Sequence, residues 1–473
     1  MQARRLPFSA LFLARSAVAL LLSGMALGAG CAGSDGAGSK GAGSEGVAAA
    51  GAGATAAVPA EAQPKPNILF ILIDTLRADA LGVYGQPLAT SPRIDAFAAT
   101  AVTYDRAWTQ YTWTSPSYVS FMTSRYARTH GWDYRLNKPD TFRALDDRAP
   151  MLAETLKAAG YATSAQFSQP NLRADLAFDR GFDTFKRGAD RGVINGAVAD
   201  IKKWKDDGKP NFLYVHLMAP HVPLLPSEAS RSAMGAPANL EKALSYDWWA
   251  AAPADQKDAR LEEFRLTYLA GVLDADTMVA TVLAALDASG LADQTAIVLT
   301  SDHGELIGEH GQIGHTGTTA EALTHVPLIV KLPGIPARRE SAPASLIDIA
   351  PTLAAAAGAE VPAAWQGKSL LAGGSGLLFS ERDNVFAASD GTWKVTEDRG
   401  TCTFVSAHDL ASDPSEKTLI TEQSSPAVQK LVAAATSFCD RIPSADNAGG
   451  LPSQDAGDQA ARLEELKLLG YVE

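Results

Sequence analysis

Three continuous apolar runs constrain this chain most, because each stops on residues able to do chemistry. "NILFILID" starts at Asn67 and ends at Asp74; "NFLYVHLMAPH" starts at Asn211 and ends at Pro220 and His221; "TAIVLTSDHGE" starts at Thr295 and carries Asp302 and His303. Continuous rather than alternating hydrophobicity marks strands buried on both faces, as in a parallel sheet covered by helices. Helical patterns lie between them. One starts at the Ser91-Pro92 cap, "APMLAETLKAAG" stops at Gly160, and a long one stops at Gly290. Strands alternating with helices predict a doubly wound α/β sheet. Ligands of such sheets bind beyond the carboxyl ends of the strands, so Asp74, His221, Asp302 and His303 are expected to converge there.

A further stretch, "WTSPSYVSFMTSR", sets Thr114, Ser115 and Pro116 in front of an apolar segment with helical spacing. Proline suits the first helical position, which predicts Ser115 as the cap and Thr114 just outside. Taken singly, an aspartate or histidine after a strand is a turn former or a cap. Together, Asp74, Asp302 and His303 offer hard oxygens and a borderline nitrogen, a donor set for one divalent ion, zinc or manganese before a thiolate-seeking metal. Thr114 would fill a fourth position. Lewis acidity of the kind that lowers the pKa of bound water to about 7 would help ionise its hydroxyl, and a helix N-terminus would favour the resulting charge.

Composition describes a soluble globule, with 46% hydrophobic and 20% charged residues among 473. A net charge of −12 argues against a broad grip on nucleic acid, which needs a positive surface, so an anionic substrate must be held locally. The N-terminus has its own logic. Residues 1–30 carry Arg4, Arg5 and Arg15 and an apolar run of signal-peptide length. Gly28-Ala29-Gly30-Cys31 resembles a bacterial lipoprotein box, which implies lipidation at Cys31 and a membrane anchor facing the periplasm or cell surface. An ordinary secretory signal is the alternative. Residues 31–65, rich in Gly, Ala and Ser, read as a flexible tether. Of the three cysteines, Cys402 and Cys439 remain for the exported body, either as one disulfide or as two separate buried thiols.

From Pro66 almost to the closing "LKLLGYVE", the ordered motifs "PNILFILIDTLRADALGVYG", "SPRIDAFA", "WTSPSYVSFMTSRYARTHG", "FDRGFDTF", "YVHLMAPHVP", "SDHGELIGEHG", "HVPLIVKLPG", "LIDIAPTL" and "AHDLASDPSE" resemble the sulfatase family of the alkaline phosphatase superfamily. The resemblance implies an α/β/α sandwich over residues 66–372 and a smaller C-terminal subdomain over 373–473, whose antiparallel sheet would hold "LLFSERDNVFAASDGTWKVTED" and "CTFVSAHDL". It implies that Thr114 occupies the nucleophile position, that Asp74, Asp302 and His303 are metal ligands with Thr114 beside them, and that His221 contacts substrate. His315 stands where many sulfatases have a substrate-binding lysine.

Departures from the family pattern shape the expected chemistry. Typical sulfatases oxidise a Cys or Ser at the nucleophile position to formylglycine, and threonine cannot become that aldehyde. Thr114 would attack directly, as threonines do in the related nucleotide pyrophosphatases, lipoteichoic acid synthases and phosphoethanolamine transferases. Thr75 replaces a second aspartate, which argues against calcium. Tyr118 replaces the motif arginine, Ser124 the glycine before Arg125, "FSQPNL" a Gly-Lys-Trp-His element, and Ala320 a tyrosine. No histidine lies four residues after an aspartate, so one metal is expected rather than two.

Few fixed cations suit a singly charged phosphodiester better than a monoester. The expected function is therefore metal-dependent ester hydrolysis through a phosphothreonine at Thr114, with His221 or His315 protonating the leaving group. Sulfate-ester hydrolysis, phosphoryl transfer to a lipid or surface polymer, and ligand binding without turnover are the alternatives. The expected partner is a small-molecule, glycan or lipid-head-group ester, with no nucleic acid and no obligate protein partner. Plainer readings cover the rest. His216 is expected as a satisfied core histidine, and Glu309 and His310 as loop formers. Trp108, Tyr111, Trp113, Tyr118 and Trp132 are expected mostly in the core, and Asp409, Asp413 and Glu416 in a surface turn.

Overall fold

The run that ends at Asp74 is the centre of the molecule. In the computed structural model, which describes residues 64–132, 144–206, 208–238, 240, 244–315 and 317–442, strand β1 (Asn67–Ile73) lies between β5 (Asn211–Leu217) and β6 (Thr295–Thr300), parallel to both. The leader, Cys31, the Gly/Ala/Ser stretch and the closing "LKLLGYVE" lie outside the described residues.

Around this centre the sheet extends through β3 (Ala162–Phe167) and β4 (Thr184–Arg187) on one side. On the other side β6 is followed by β9 (His325–Lys331), then β2 (Val102–Trp108), with β10 (Arg338–Glu340) and β11 (Ala344–Ser345) paired to β2. The doubly wound α/β sheet expected from sequence is present, with one strand reversed. β9 runs antiparallel to both β6 and β2, so this nine-stranded sheet is mixed. Its apolar run "HVPLIVK" carries no sign of direction, because a strand covered on both faces reads the same either way.

Side chains of β1 alternate between two cores. Ile68, Phe70 and Leu72 pack with Val119, Leu152 and Leu353, from the helices Thr114–Thr123, Leu152–Ala158 and Ile349–Ala356. Leu69, Ile71 and Ile73 pack with Ile94, Val193 and Val279, from the helices Pro92–Ala98, Asp190–Lys203 and Lys257–Ser289. These layers make an α/β/α sandwich. Each such side chain contributes about 1.5–3 kcal/mol when fully buried, so Asp74 is mounted on a firmly anchored strand.

A second sheet is antiparallel, in the order β12 (Leu378–Arg382), β13 (Val385–Ser389), β14 (Trp393–Asp398) and β15 (Thr403–Asp409). The helix Pro426–Arg441 packs on it through Val428, Leu431 and Phe438. Cys402 and Cys439 are joined as a disulfide, which ties the turn before β15 to that helix. β12 also touches the large sandwich, since Glu381 pairs with Tyr111 and its N–H donates to Gln110 O.

Two local expectations are corrected. The helix of the TSP stretch starts at Thr114 itself, with Trp113 as the flanking residue and no side-chain cap. Proline fits there because the N–H groups of the first turn have no intrahelical partner. Glu416 is buried, not in a surface turn; its carboxylate lies 2.7 Å from Lys394 Nζ and accepts from the Glu321 N–H. Asp409 and Asp413 are only partly covered. The five aromatics near Thr114 are buried, as expected, with Trp113 stacked on Trp132.

Candidate active site

Three strand ends meet where the sheet order places them. Asp74 follows β1, and its N–H donates to Leu217 O at the end of β5. Asp302 and His303 follow β6. One ligand atom from each of Asp74, Asp302 and His303 lies within 4.8 Å of the others, and all three residues are buried. The loop after Asp302 is forced by Gly304, where a Cβ would lie 1.9 Å from Ala322 O, inside any allowed contact.

The oxygens of this cluster are unequally satisfied. Asp74 Oδ2 accepts from Gln169 Nε2 at 2.5 Å and lies 3.1 Å from His216 Nε2. Asp302 Oδ1 accepts from the N–H groups of His303 at 3.0 Å and Thr75 at 3.3 Å. Asp74 Oδ1, Asp302 Oδ2 and Thr75 Oγ1 are buried without a hydrogen-bond partner. Two carboxylates this close repel by about 3–4 kcal/mol at an effective dielectric of about 20. Burial, and then the Asp302 charge, push the Asp74 carboxyl well above its ordinary range. For Asp302 burial acts in the same sense, yet His303, then His216 and the bond from the Thr75 N–H hold it below. Orphaned carboxylate oxygens beside a neutral imidazole nitrogen are what a divalent cation requires, so the donor set fits one. His303 is oriented for it, with Nδ1 on Gly304 O at 2.9 Å, which leaves Nε2 facing the cluster.

Thr114 stands at the start of its helix. Its Oγ1 lies 3.3 Å from His303 Nε2 and 3.4 Å from Gln169 Nε2. Ser117, one turn on, donates to Asp302 O at 2.8 Å and shares a hydrogen bond with Thr109, which locks the helix start to the end of β6. Thr75 adopts φ of +55°, an uncommon conformation for a β-branched residue, where the chain turns sharply after Asp74.

His221 and His315 complete the group. Their ring centroids are 5.3 Å apart, and His315 lies 4.5 Å from the His303 ring. His221 Nδ1 bonds to Val222 O. His315, carried just past the ribbon of β7 (Leu306–Ile307) and β8 (Ile313–Gly314), has Nδ1 3.1 Å from Glu305 Oε1 and 3.2 Å from the Tyr246 hydroxyl. Tyr246 in turn donates to Glu305 Oε2 at 2.9 Å. Burial pushes Glu305 up to about 7, with partial relief from His221. Burial, then the Arg382 charge, pushes His315 down to about 3, and burial takes His303 and His216 to about 4. The histidines are therefore neutral, while Glu305 titrates near neutral pH with its carboxyl 3.1 Å from His315 Nδ1.

All six residues expected from sequence, Asp74, Thr114, His221, Asp302, His303 and His315, thus lie in one group. Sequence reasoning missed Gln169, Glu305 and Tyr246, and it read His216 only as a core residue. A histidine inside a fully buried strand needs a polar partner, and that requirement was the available signal for His216. Gln169 sits in "FSQPNL", the segment noted only for lacking cations. Hydrogen bonds to Asp74, Thr114, Asp302 and His303 among the described residues come from amide, hydroxyl, imidazole and backbone groups, none from arginine or lysine. Tyr118, in place of an arginine, is buried and donates to Phe178 O at 2.7 Å.

Comparison with known proteins gives the family and the fold. The family described as Sulfatase matches residues 66–359. Iduronate 2-sulfatase of Homo sapiens is 26% identical over 396 residues, covering 63% of this chain and 70% of the relative. A protein solved in complex with its substrate D-glucosamine-2-N,6-O-disulfate superposes with a TM-score of 0.67 at 18% identity, over 83% of this chain and 100% of that one. The phosphonate monoester hydrolase SpPMH from Silicibacter pomeroyi gives 0.62 at 21% identity, over 82% and 100%.

Proposed function

The chain belongs to the sulfatase family of ester hydrolases, and on that footing we propose that it cleaves a phosphoester, a diester before a monoester, with Thr114 as the nucleophile. The observation that carries this reading is the position of Thr114 Oγ1, 3.3 Å from His303 Nε2 at a helix start and beside two buried, unbonded carboxylate oxygens. A divalent cation held by Asp74, Asp302 and His303, zinc or manganese rather than calcium, would supply charge neutralisation and acidify the Thr114 hydroxyl.

The protein's own groups perform the remaining steps. Thr114 Oγ1, its hydroxyl proton already lost to solvent, bonds to phosphorus as the bond to the leaving oxygen breaks, and the Glu305–His315 pair, or His221 in its protonated form, delivers a proton to that oxygen. Water then attacks the same phosphorus, the group that gave up its proton takes one back from the water, and the bond to Thr114 breaks to return its alkoxide. Gln169 fixes Thr114 and Asp74 with one amide. Few bonded cations around the nucleophile favour an ester with one negative charge over one with two. Direct attack also favours phosphorus, because a threonine ester has no second hydroxyl with which to expel sulfate.

Sulfate-ester hydrolysis is the second reading, favoured by the sulfatases among the relatives. Export is part of the proposal, supported by the signal-like leader and by the disulfide, since disulfides persist in oxidising compartments. The test is the initial rate of the full chain on 4-nitrophenyl sulfate, 4-nitrophenyl phosphate and bis(4-nitrophenyl) phosphate, metal-stripped and reloaded, with Thr114→Ala alongside. Metal-dependent cleavage of the diester that vanishes in the variant is expected. Preference for the sulfate would install the second reading. Metal binding with no cleavage of any ester would replace both with a binding protein or a transferase that needs its own acceptor.

A further inference from the structure

A cavity of about 740 Å³ opens beside the cluster, and it shares two chain segments with it. Ser168 and Pro170 in its wall flank Gln169, which bonds Asp74 and Thr114, and His221 belongs to both the wall and the histidine group. Its volume falls within the range of small-molecule sites.

The wall is apolar in its larger part, with Ser168, Arg187, Asp190, His221 and Asp274 as its polar side chains. Pro170, Pro220, Pro223 and Pro226 contribute no N–H donor. Met218, Val222, Leu224 and Met278 add apolar surface, and Leu225 is 62% exposed. The two carboxylates present are already engaged. Asp190 accepts from Ser168 Oγ and from the N–H groups of Met218 and Ala219; Asp274 accepts from the Ser227 N–H and hydroxyl and from Ser230 Oγ. Arg187, exposed, is the cation of the wall. A sugar placed here would lose water from several hydroxyls and regain few hydrogen bonds, at about 1–3 kcal/mol for each group left unsatisfied. An apolar group has no hydroxyls of its own to desolvate and would cover Leu225.

We infer that this cavity receives the organic half of the ester and selects an apolar one, an aromatic ring or an alkyl chain, over a sugar. This rests on the esterase reading above for where the reacting group sits, and it adds the class of substrate. Leu225 is a specificity-determining residue, with its side chain at the surface, so its replacement leaves the core intact.

The test reads binding to a variant that lacks the proposed nucleophile, with phosphonates as the uncleavable probes, so it does not depend on turnover. Dissociation constants of methyl-, n-octyl- and 1-naphthylphosphonate and of glucose 6-phosphate are measured by calorimetry on the metal-loaded full chain carrying Thr114→Ala, with and without Leu225→Asp. We expect the octyl or the naphthyl ligand to bind at least about tenfold tighter than the methyl and sugar ligands, and Leu225→Asp to remove most of that gap while leaving methylphosphonate unchanged. Which of the two gains tells chain from ring. Equal affinities for all four, tighter binding of the sugar, or a gap untouched by Leu225→Asp would overturn the inference. A gap that depends on Leu225, in a protein whose wild type cleaves no ester, would keep the cavity and sink the esterase reading instead.

Discussion

His216 Nε2 lies 3.1 Å from Asp74 Oδ2, and His216 Nδ1 lies 2.9 Å from the Tyr214 hydroxyl. Burial keeps this imidazole neutral, so with Tyr214 donating to Nδ1 the ring N–H points at Asp74. Asp74 Oδ2 is thereby occupied, and Oδ1 is left for a cation. His216 is a positioning residue, and such partners are commonly worth about 10–100-fold in metal affinity. We expect His216→Ala to weaken metal binding by that factor while kcat at saturating metal changes little, and His216→Gln to restore part of the affinity. Titration of the stripped protein with Mn²⁺ or Zn²⁺ measures the first, and rates against metal concentration measure the second.

Metal should also stabilise the fold. At 100 times its dissociation constant a ligand that binds only the native state adds about 2.7 kcal/mol, so melting of the stripped protein should rise on reloading. Asp302→Asn removes the charge next to the unbonded oxygen and should abolish that rise. A metal-dependent rise that persists in Asp302→Asn would place the ion elsewhere.

Thr114→Ala should lower kcat by at least about 10³-fold, because it removes the hydroxyl that lies 3.3 Å from His303 Nε2 and would form the covalent ester. Thr114→Ser keeps the hydroxyl and should retain activity within about tenfold. Acid-quenched wild-type protein taken during turnover should yield a peptide phosphorylated at position 114, detectable by mass spectrometry. Its absence, with serine and alanine variants equally active, would remove Thr114 from the chemistry.

Glu305 and His315 should act as a unit. Glu305→Gln keeps a polar contact with His315 Nδ1, now 3.1 Å from a carboxylate oxygen, and removes the exchangeable proton. We expect kcat to fall about 10–100-fold and the limb of the pH–rate profile near 7 to move or vanish. His221→Asn in the same assay separates the two candidate acids. The variant that loses more rate on a phenyl ester than on the 4-nitrophenyl ester, whose leaving oxygen needs less help from an acid, identifies the proton donor.

Glu397 offers a test of stability far from the chemistry. Both of its carboxylate oxygens are buried without a partner, and burial raises the group from 4.5 to about 7 despite Arg128 nearby. The native state therefore holds a proton that the unfolded chain has already lost. The contribution of this group is fully present below about 4.5 and is lost as pH rises through about 7, by at most about 3 kcal/mol. Glu397→Gln cannot ionise, so its melting temperature should fall less between pH 5 and pH 8 than that of the wild type. Parallel curves would mean that Glu397 finds a partner in solution.

The division between sequence and tertiary structure runs through the site itself. Asp74, Asp302 and His303 were legible because each closes an apolar run, and the period of that run places its last residue at the sheet edge whatever else the chain does. The two-layer cover of the sheet followed from the same runs, as did the helix ends at Gly160 and Gly290. The reversal of β9 did not, since a strand buried on both faces has no directional pattern. Gln169 and His216 reach Asp74 across 95 and 142 residues, and Glu305 gains its role only because the turn of β7 and β8 folds His315 back onto it. Glu416 reads as a surface acid until β14 brings Lys394 to it. Local pattern determined where the ligands stand, because it fixes burial and strand ends. Long-range packing decided which groups hold, neutralise and protonate them, because a hydrogen bond between distant segments leaves no period in the sequence of either.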